Sequence, residues 1–208
     1  MKTALIDYGS GNLQSAYKAL ELAAKNKKSK IFVTSKSKDL LNVDKIVLPG
    51  VGTFSDCMKG LKSISGMIDI LNEVVIGKKK PFLGICVGMQ LLATEGKEKG
   101  NHKGLGWIKG KVVKLKKNKK TKIPHMGWNT VKMLNQHPII KNKKFESYFV
   151  HSYNFVCKDK KNIIATCDYE QNITAIVGKE NIIGTQFHPE KSQKNGIEIL
   201  KNFINWVY

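Results

Sequence analysis

"PFLGICVGMQLL", residues 81–92, sets one cysteine between two glycines where a short apolar run turns into a helical pattern. FLGI is too short for a helix and has no polar position, the mark of a strand covered on both faces. G-I-C-V-G then has the form G-x-nucleophile-x-G, a sharp strand-to-helix turn in which small neighbours let the chain fold around a strained central residue. Cys86 would stand at the carboxyl end of a strand and the amino end of a helix, where backbone N–H groups favour the thiolate. A buried structural thiol is the bland alternative, and it is the reading kept for Cys57, Cys157 and Cys167, which lack such flanks.

Outward from this corner, strands and helices alternate through the first half. TALI (3–6), IFVT (31–34) and KIVLP (45–49) read as strands, with an amphipathic helix from Leu13 to Ala24 after the turn DYGSGN and helical segments at 54–61 and 66–76. Short apolar strands separated by helices predict a parallel sheet covered on both faces. The second half differs: the runs at 107–116, 129–133, 147–157, 162–167, 173–178 and 182–187 follow one another with no helix between them. They read as largely antiparallel additions to the same sheet, closed by a helix from Gly196 to Trp206. The expectation is one three-layer α/β domain over residues 1–208, with a central mixed, mostly parallel sheet.

Composition narrows the function classes. The net charge is +20, and all 36 basic residues are lysine. Arginine, the side chain suited to bidentate recognition of guanine and phosphate, does not occur, and the densest cluster, KLKKNKKTK at 114–122, has no interleaved aromatics for base stacking. A solvated surface in a chain of AT-rich coding bias is the expectation, with nucleic acid set aside as a partner. Four scattered cysteines without a C-x-x-C pair argue against a disulfide framework or a zinc site and for a reducing, cytoplasmic setting. The start MKTALIDYGSG does not read as a signal peptide, and the longest nearly uncharged apolar stretch, 81–93, falls short of the roughly 18–20 residues of a membrane helix. No metal, cofactor or membrane is expected.

A nucleophilic cysteine needs a base, and QFHPEKS follows the apolar strand IIGTQF. Pro189 biases His188 toward extended backbone, in which His188 and Glu190, two residues apart, face the same way. Glu190 can then accept from one ring nitrogen and fix the tautomer of the other, as the third member of a triad does. His102 and His137 lie in polar or turn-like segments and read as surface residues. PGVG at 49–52 follows the strand KIVL, so the N–H groups around Val51 and Gly52 emerge beside Cys86, and the N–H of Val87 offers a second donor for an oxyanion.

PGVG, GICVGMQLL and QFHPEKS, in this order and spacing, resemble the class I (triad) glutamine amidotransferases. DYGSGNLQSA (7–16), GLGWIKGKV (104–112), IPHMGWNTV (123–131) and YFVHSYNF (148–155) narrow the resemblance to the glutaminase subunits of imidazole glycerol phosphate synthase, from Thr3 to Val207. The resemblance implies a flavodoxin-like fold, L-glutamine as substrate, and Cys86, His188 and Glu190 as the catalytic triad. It places Gly52, Gln90, Glu98 and Ser152 along the glutamine pocket, with Gly96 standing where relatives commonly carry serine. It also implies a heterodimer with a (βα)8-barrel cyclase subunit, docked through Asn12, Met126, Trp128, Asn129, Tyr148 and His151, which receives ammonia for histidine biosynthesis. In the family the PGVG segment usually needs the partner and its ligand before it presents an oxyanion donor. A glutaminase feeding another synthase, such as one amidating surface sugars, and an inert binding module of the same fold are the competing expectations.

Overall fold

In the computed structural model, which describes residues 1–9, 12–25, 29–117 and 121–208, the first half is wound as β1 (Lys2–Ile6), α1 (Leu13–Ala24), β2 (Lys30–Thr34), β3 (Lys45–Leu48), α2 (Phe54–Ser63), α3 (Met67–Leu71), β4 (Phe82–Ile85) and the single turn α4 (Val87–Gln90). Part of the DYGSGN turn (10–11) and part of the lysine cluster (118–120) lie outside the described residues. α1 buries Ala16, Ala19, Leu20, Ala23 and Ala24, the one-sided stripe that a 3.6-residue period dictates. β1, β3 and β4 are apolar and almost wholly buried, as strands covered on both faces must be. Lys45 is the exception in β3: its buried ammonium bonds the Trp206 carbonyl, and burial lowers its pKa.

The second half supplies β5 (Glu95–Gly96), β6 (His102–Lys103), β7 (Gly110–Lys114), β8 (His125–Met133), β9 (Lys144–His151), β10 (Tyr153–Cys157), β11 (Ile163–Asp168), β12 (Asn172–Lys179), β13 (Ile182–Thr185) and α5 (Gln193–Asn205). Nine strands form one sheet in the order β2-β1-β3-β4-β13-β12-β11-β8-β9. The pairings from β2 through β13 are parallel and those from β13 through β9 antiparallel. From β1 the chain moves one way to β2 and the other way from β3 to β4. Right-handed crossovers therefore put α1 and α2–α3 on opposite faces.

Three expectations need correction. The later strands do not all join one sheet: β10-β7-β5-β6 forms a separate four-stranded sheet. The run at 147–157 belongs to both, because β9 ends at His151 and β10 begins at Tyr153, with Ser152 between them. The segment expected as a helix at 66–76 is α3 followed by a π-helical turn, Asn72–Gly77, which turns Val74 and Val75 into the core. His137 and His102 are partly buried rather than surface residues. His137 packs edge-on against Trp206 at 5.1 Å, and burial lowers its pKa to about 4. Among the described residues, no helix is long and apolar enough to cross a membrane.

The topology fixes where chemistry can occur. β3, β4 and β13 are adjacent and parallel, so PGVG, Cys86 and the segment from Gln186 to Glu190 all emerge at one edge of the sheet. Ligands of open α/β sheets bind outside this carboxyl edge.

Candidate active site

Cys86 occupies φ +55°, ψ −111°, a conformation that a side chain adopts only when its surroundings hold it there. The hold is steric and hydrogen-bonded. Cys86 N–H donates to the Thr185 carbonyl at 2.8 Å, continuing the β4–β13 ladder one residue past the strand. The chain then turns back so tightly that a Cβ on Gly84 would lie 2.6 Å from the Gly88 carbonyl oxygen, and one on Gly88 would lie 2.0 Å from that of Leu48. The two glycines that drew attention in the sequence are thus required by close backbone approach. The helix they lead into is only one turn long.

His188 and Glu190 arrive on the loop after β13. Their Nδ1 and Oε1 atoms are 2.7 Å apart, and the two side chains are 2% and 3% exposed, so the pair is shielded from solvent. Nε2 of His188 is buried and, among the described residues, has no hydrogen-bond partner of its own. Burial alone would drive off the imidazole proton. Interaction with the Cys86 sulfur and the hydrogen bond to Glu190, together with the charge of both, outweighs it and raises the His188 pKa to about 10. The ring next to the Cys86 sulfur is thereby held as an imidazolium through neutral pH. Ser192 braces the loop: its hydroxyl donates to the His188 carbonyl at 2.7 Å and accepts from Tyr148 N–H at 3.0 Å, while His188 N–H donates to the Tyr148 carbonyl at 3.0 Å.

Cys86 and His188 open onto a cleft of about 470 Å³ that is also lined by Gly52, Gln90, Glu98 and Ser152, the four positions expected along a glutamine pocket. Glu98 is fixed by accepting from Phe54 N–H at 2.7 Å. Gly96 has a local reason: a Cβ there would press to 2.5 Å from the Phe54 ring, so any side chain would displace the residue that orients Glu98. The cleft lies where the two sheets meet, its far wall being Ser152 and Tyr153.

The expected oxyanion donors do not converge in this conformation. Val87 N–H donates to the Gly50 carbonyl at 3.3 Å. Because the peptide is planar, a Gly50 carbonyl aimed at Val87 turns the Val51 N–H the opposite way. Val51 O accepts from the Cys57 thiol at 3.5 Å, which holds the next peptide in place, and Gly52 sits at φ +103° with nothing within 4 Å of a Cβ. Rotation of the single Gly50–Val51 peptide would expose both N–H groups to the cleft.

The expected docking residues divide between two directions. Met126 and Trp128 alternate on the outer face of β8 at 64% and 48% exposure, paired across to Val150 and Tyr148 of β9. Trp128 meets Tyr148 edge-on at 6.0 Å, and Lys191 Nζ lies 6.0 Å over the Tyr148 ring. This apolar face runs into the cleft through Val150. Asn12 is exposed at the start of α1. Asn129 and His151 instead face inward, as the alternation along β8 and β9 requires. Asn129 Nδ2 bonds the Asp168 carbonyl at 2.8 Å, and buried His151 lines the cleft. His151 Nε2 lies 2.9 Å from His125 Nδ1, and burial lowers the two pKa values to about 3 and about 4.

Two residues that sequence reasoning passed over stand in the site. Gln186 is wholly buried, with Nε2 3.7 Å from the Cys86 sulfur. It lies two residues before His188, and the alternation that singled out Glu190 would have singled it out too. Tyr153, whose carbonyl oxygen is 3.4 Å from Gln90 Nε2, is displayed only because the chain changes sheets at Ser152.

The class-I glutamine amidotransferase family model matches residues 4–206. Among curated proteins, the chain is 49% identical over 214 residues to the imidazole glycerol phosphate synthase subunit HisH of Rhodopseudomonas palustris, covering 99% of each chain. It is 50% identical over 205 residues to the protein of that name from Zymomonas mobilis, covering 98% of this chain and 95% of the other. Solved structures with the same fold include a glutamine amidotransferase at TM-score 0.74 and 16% identity, covering 97% of both chains. PurLQS from Thermotoga maritima matches at TM-score 0.74 and 20% identity, covering 98% and 97%. The chain that holds a cysteine at this left-handed corner beside a buried histidine–carboxylate pair thus belongs to the class-I glutamine amidotransferase family.

Proposed function

We propose that this protein is the glutaminase subunit of imidazole glycerol phosphate synthase, with Cys86, His188 and Glu190 as its triad. It hydrolyses L-glutamine and delivers the ammonia to a cyclase partner in histidine biosynthesis. The observation that carries the chemistry is Cys86 at φ +55°, facing the same cleft as His188, whose Nδ1 is bonded to Glu190. Glu98 is the carboxylate of the cleft wall and suits the ammonium of glutamine, and Lys114 is the cation available to its carboxylate.

The thiolate attacks the side-chain amide carbon, and the oxyanion that forms is received by the N–H groups of Val51 and Val87 once the Gly50–Val51 peptide has turned. The His188 imidazolium gives its proton to the departing nitrogen, the C–N bond breaks, and ammonia leaves a glutamyl thioester on Cys86. The now neutral imidazole takes a proton from water, whose oxygen attacks the thioester. Glutamate departs, and the thiolate and imidazolium are restored. Glu190 holds the ring and stabilises its charge throughout. Ammonia released into bulk water would be protonated and lose its nucleophilicity. The apolar face of Met126, Trp128 and Tyr148 borders the cleft, which suits a partner seated directly over the exit. Cys86, Cys157 and Cys167 as free thiols suit a reducing compartment, and we place the protein in the cytoplasm.

Replacing Glu190 tests the proton donor. A pKa raised to about 10 means that the His188 proton is retained through neutral pH and lost as pH climbs toward that value. Glutamine turnover should fall on the alkaline side. Glu190→Gln removes the negative charge beside Nδ1, so the alkaline limb should move down by roughly one pH unit or more. An unmoved limb would remove Glu190 from the proton path. The choice of synthase is tested in a histidine auxotroph lacking its own glutaminase subunit, with a matching cyclase co-expressed. Growth without histidine is the expected result. Failure there, with glutamine hydrolysis intact, would direct the same chemistry to another synthase.

A further inference from the structure

Gln186 is the buried polar side chain beside the nucleophile for which the triad has no use. The parallel register pairs Thr185 with Ile85, which sets Gln186 next to Cys86. Its Nε2 lies 3.7 Å from Cys86 Sγ, and its Oε1 accepts from Gln90 Nε2 at 2.9 Å. The direction of this amide is settled from outside the pair. Gln90 Nε2 also faces the Tyr153 carbonyl oxygen at 3.4 Å, and a carbonyl can only accept. With a donor at Gln90, the near end of Gln186 must be its oxygen, which leaves the N–H end against the sulfur.

A donor aimed at sulfur favours thiolate over thiol, because a charged acceptor gains more from the hydrogen bond than a neutral one. Two other groups face the sulfur: the His188 ring, whose charge also favours the thiolate and is unchanged by replacing Gln186, and the Val150 carbonyl oxygen at 3.9 Å, which pulls the opposite way, since only a thiol can donate to it. Resting on the assignment of Cys86 as nucleophile, we infer that Gln186 is a positioning residue that holds the Cys86 sulfur in its thiolate form. Gln90 and the Tyr153 carbonyl fix which end of its amide faces the sulfur. Glutamine bound against Gln90 then acts on the nucleophile through one intervening side chain.

The test uses the full chain without glutamine, alkylated with iodoacetamide across a range of pH, with Cys86 followed by peptide mass. Gln186→Met should slow alkylation of Cys86 about tenfold at neutral pH, the low end for a hydrogen bond to a charged group. It should also move the midpoint of the rate–pH curve upward while the alkaline plateau stays at the native rate. A purely structural role would change the plateau and open Cys57, Cys157 and Cys167 to the reagent, leaving the midpoint in place. Gln90→Met, which frees the Gln186 amide to turn, should shift the midpoint in the same direction, and it carries the test if Gln186→Met does not fold. A native midpoint in either folded variant overturns the inference. Failure of native Cys86 to react at any pH would overturn the nucleophile assignment instead.

Discussion

Cys86→Ala, assembled with the cyclase partner, should lose glutamine-dependent synthesis by at least about a thousandfold, while synthesis supplied with ammonium salt proceeds at the rate of the native complex. The size of the loss follows from the chemistry. Without the sulfur there is no thioester, and the cleft's remaining groups would have to activate water directly against an amide. The selectivity follows from the structure. Alanine inherits the left-handed backbone of residue 86 with about the same strain, because that strain belongs to any Cβ, and the Cys86 N–H bond to Thr185 survives. The sulfur's interactions with His188, Gln186 and the Val150 carbonyl are lost, while the exposed side chains of Met126 and Trp128 are not among its contacts. Loss of both activities together would place the effect on assembly and remove Cys86 from the chemistry.

The second large effect is activation by the partner. The isolated chain should turn over glutamine slowly, and the complex, with the cyclase's ligand bound, about 100- to 1000-fold faster, the amount an oxyanion donor typically supplies. The physical reason is the Gly50 carbonyl. At 3.3 Å from Val87 N–H, it occupies the position where the oxyanion should collect, and the negative ends of two dipoles cannot share one donor. Its removal needs only one peptide to rotate, flanked by Gly50 and Gly52, with Val51 40% exposed at the surface. Steady-state glutaminase rates with and without partner and ligand decide the matter. Equal rates would show that the closed peptide is no barrier to turnover.

The residues that meet at the cleft were legible in the sequence because each part has a local signature: glycines around Cys86, an extended His-Pro-Glu after an apolar strand, and PGVG after KIVL. Their convergence was legible too, since parallel strands deliver their carboxyl ends to one edge. The second sheet was not, because SYFVHSYNFVC keeps its alternation straight through Ser152, with neither glycine nor proline to mark the change of sheet. The facing of Asn129 and His151 was missed for a related reason. In a period-2 pattern, neighbours such as Trp128 and Asn129 must point opposite ways. Lys45 escaped notice because a buried ammonium depends on one carbonyl, that of Trp206, from the far end of the chain.

The crossing at Ser152 has a consequence for how the enzyme can change. Cys86, His188 and Glu190 are carried by the nine-stranded sheet. Glu98 is carried by the connection between β5 and β6, and Tyr153 begins β10, both in the small sheet. On the proposed reading, the carboxylate that meets the ammonium of glutamine and the groups that break its amide bond are thus mounted on separate frames that meet along a seam. Substitutions on the small frame can retune KM, or admit a different side-chain amide, while kcat remains governed by a proton path they do not touch.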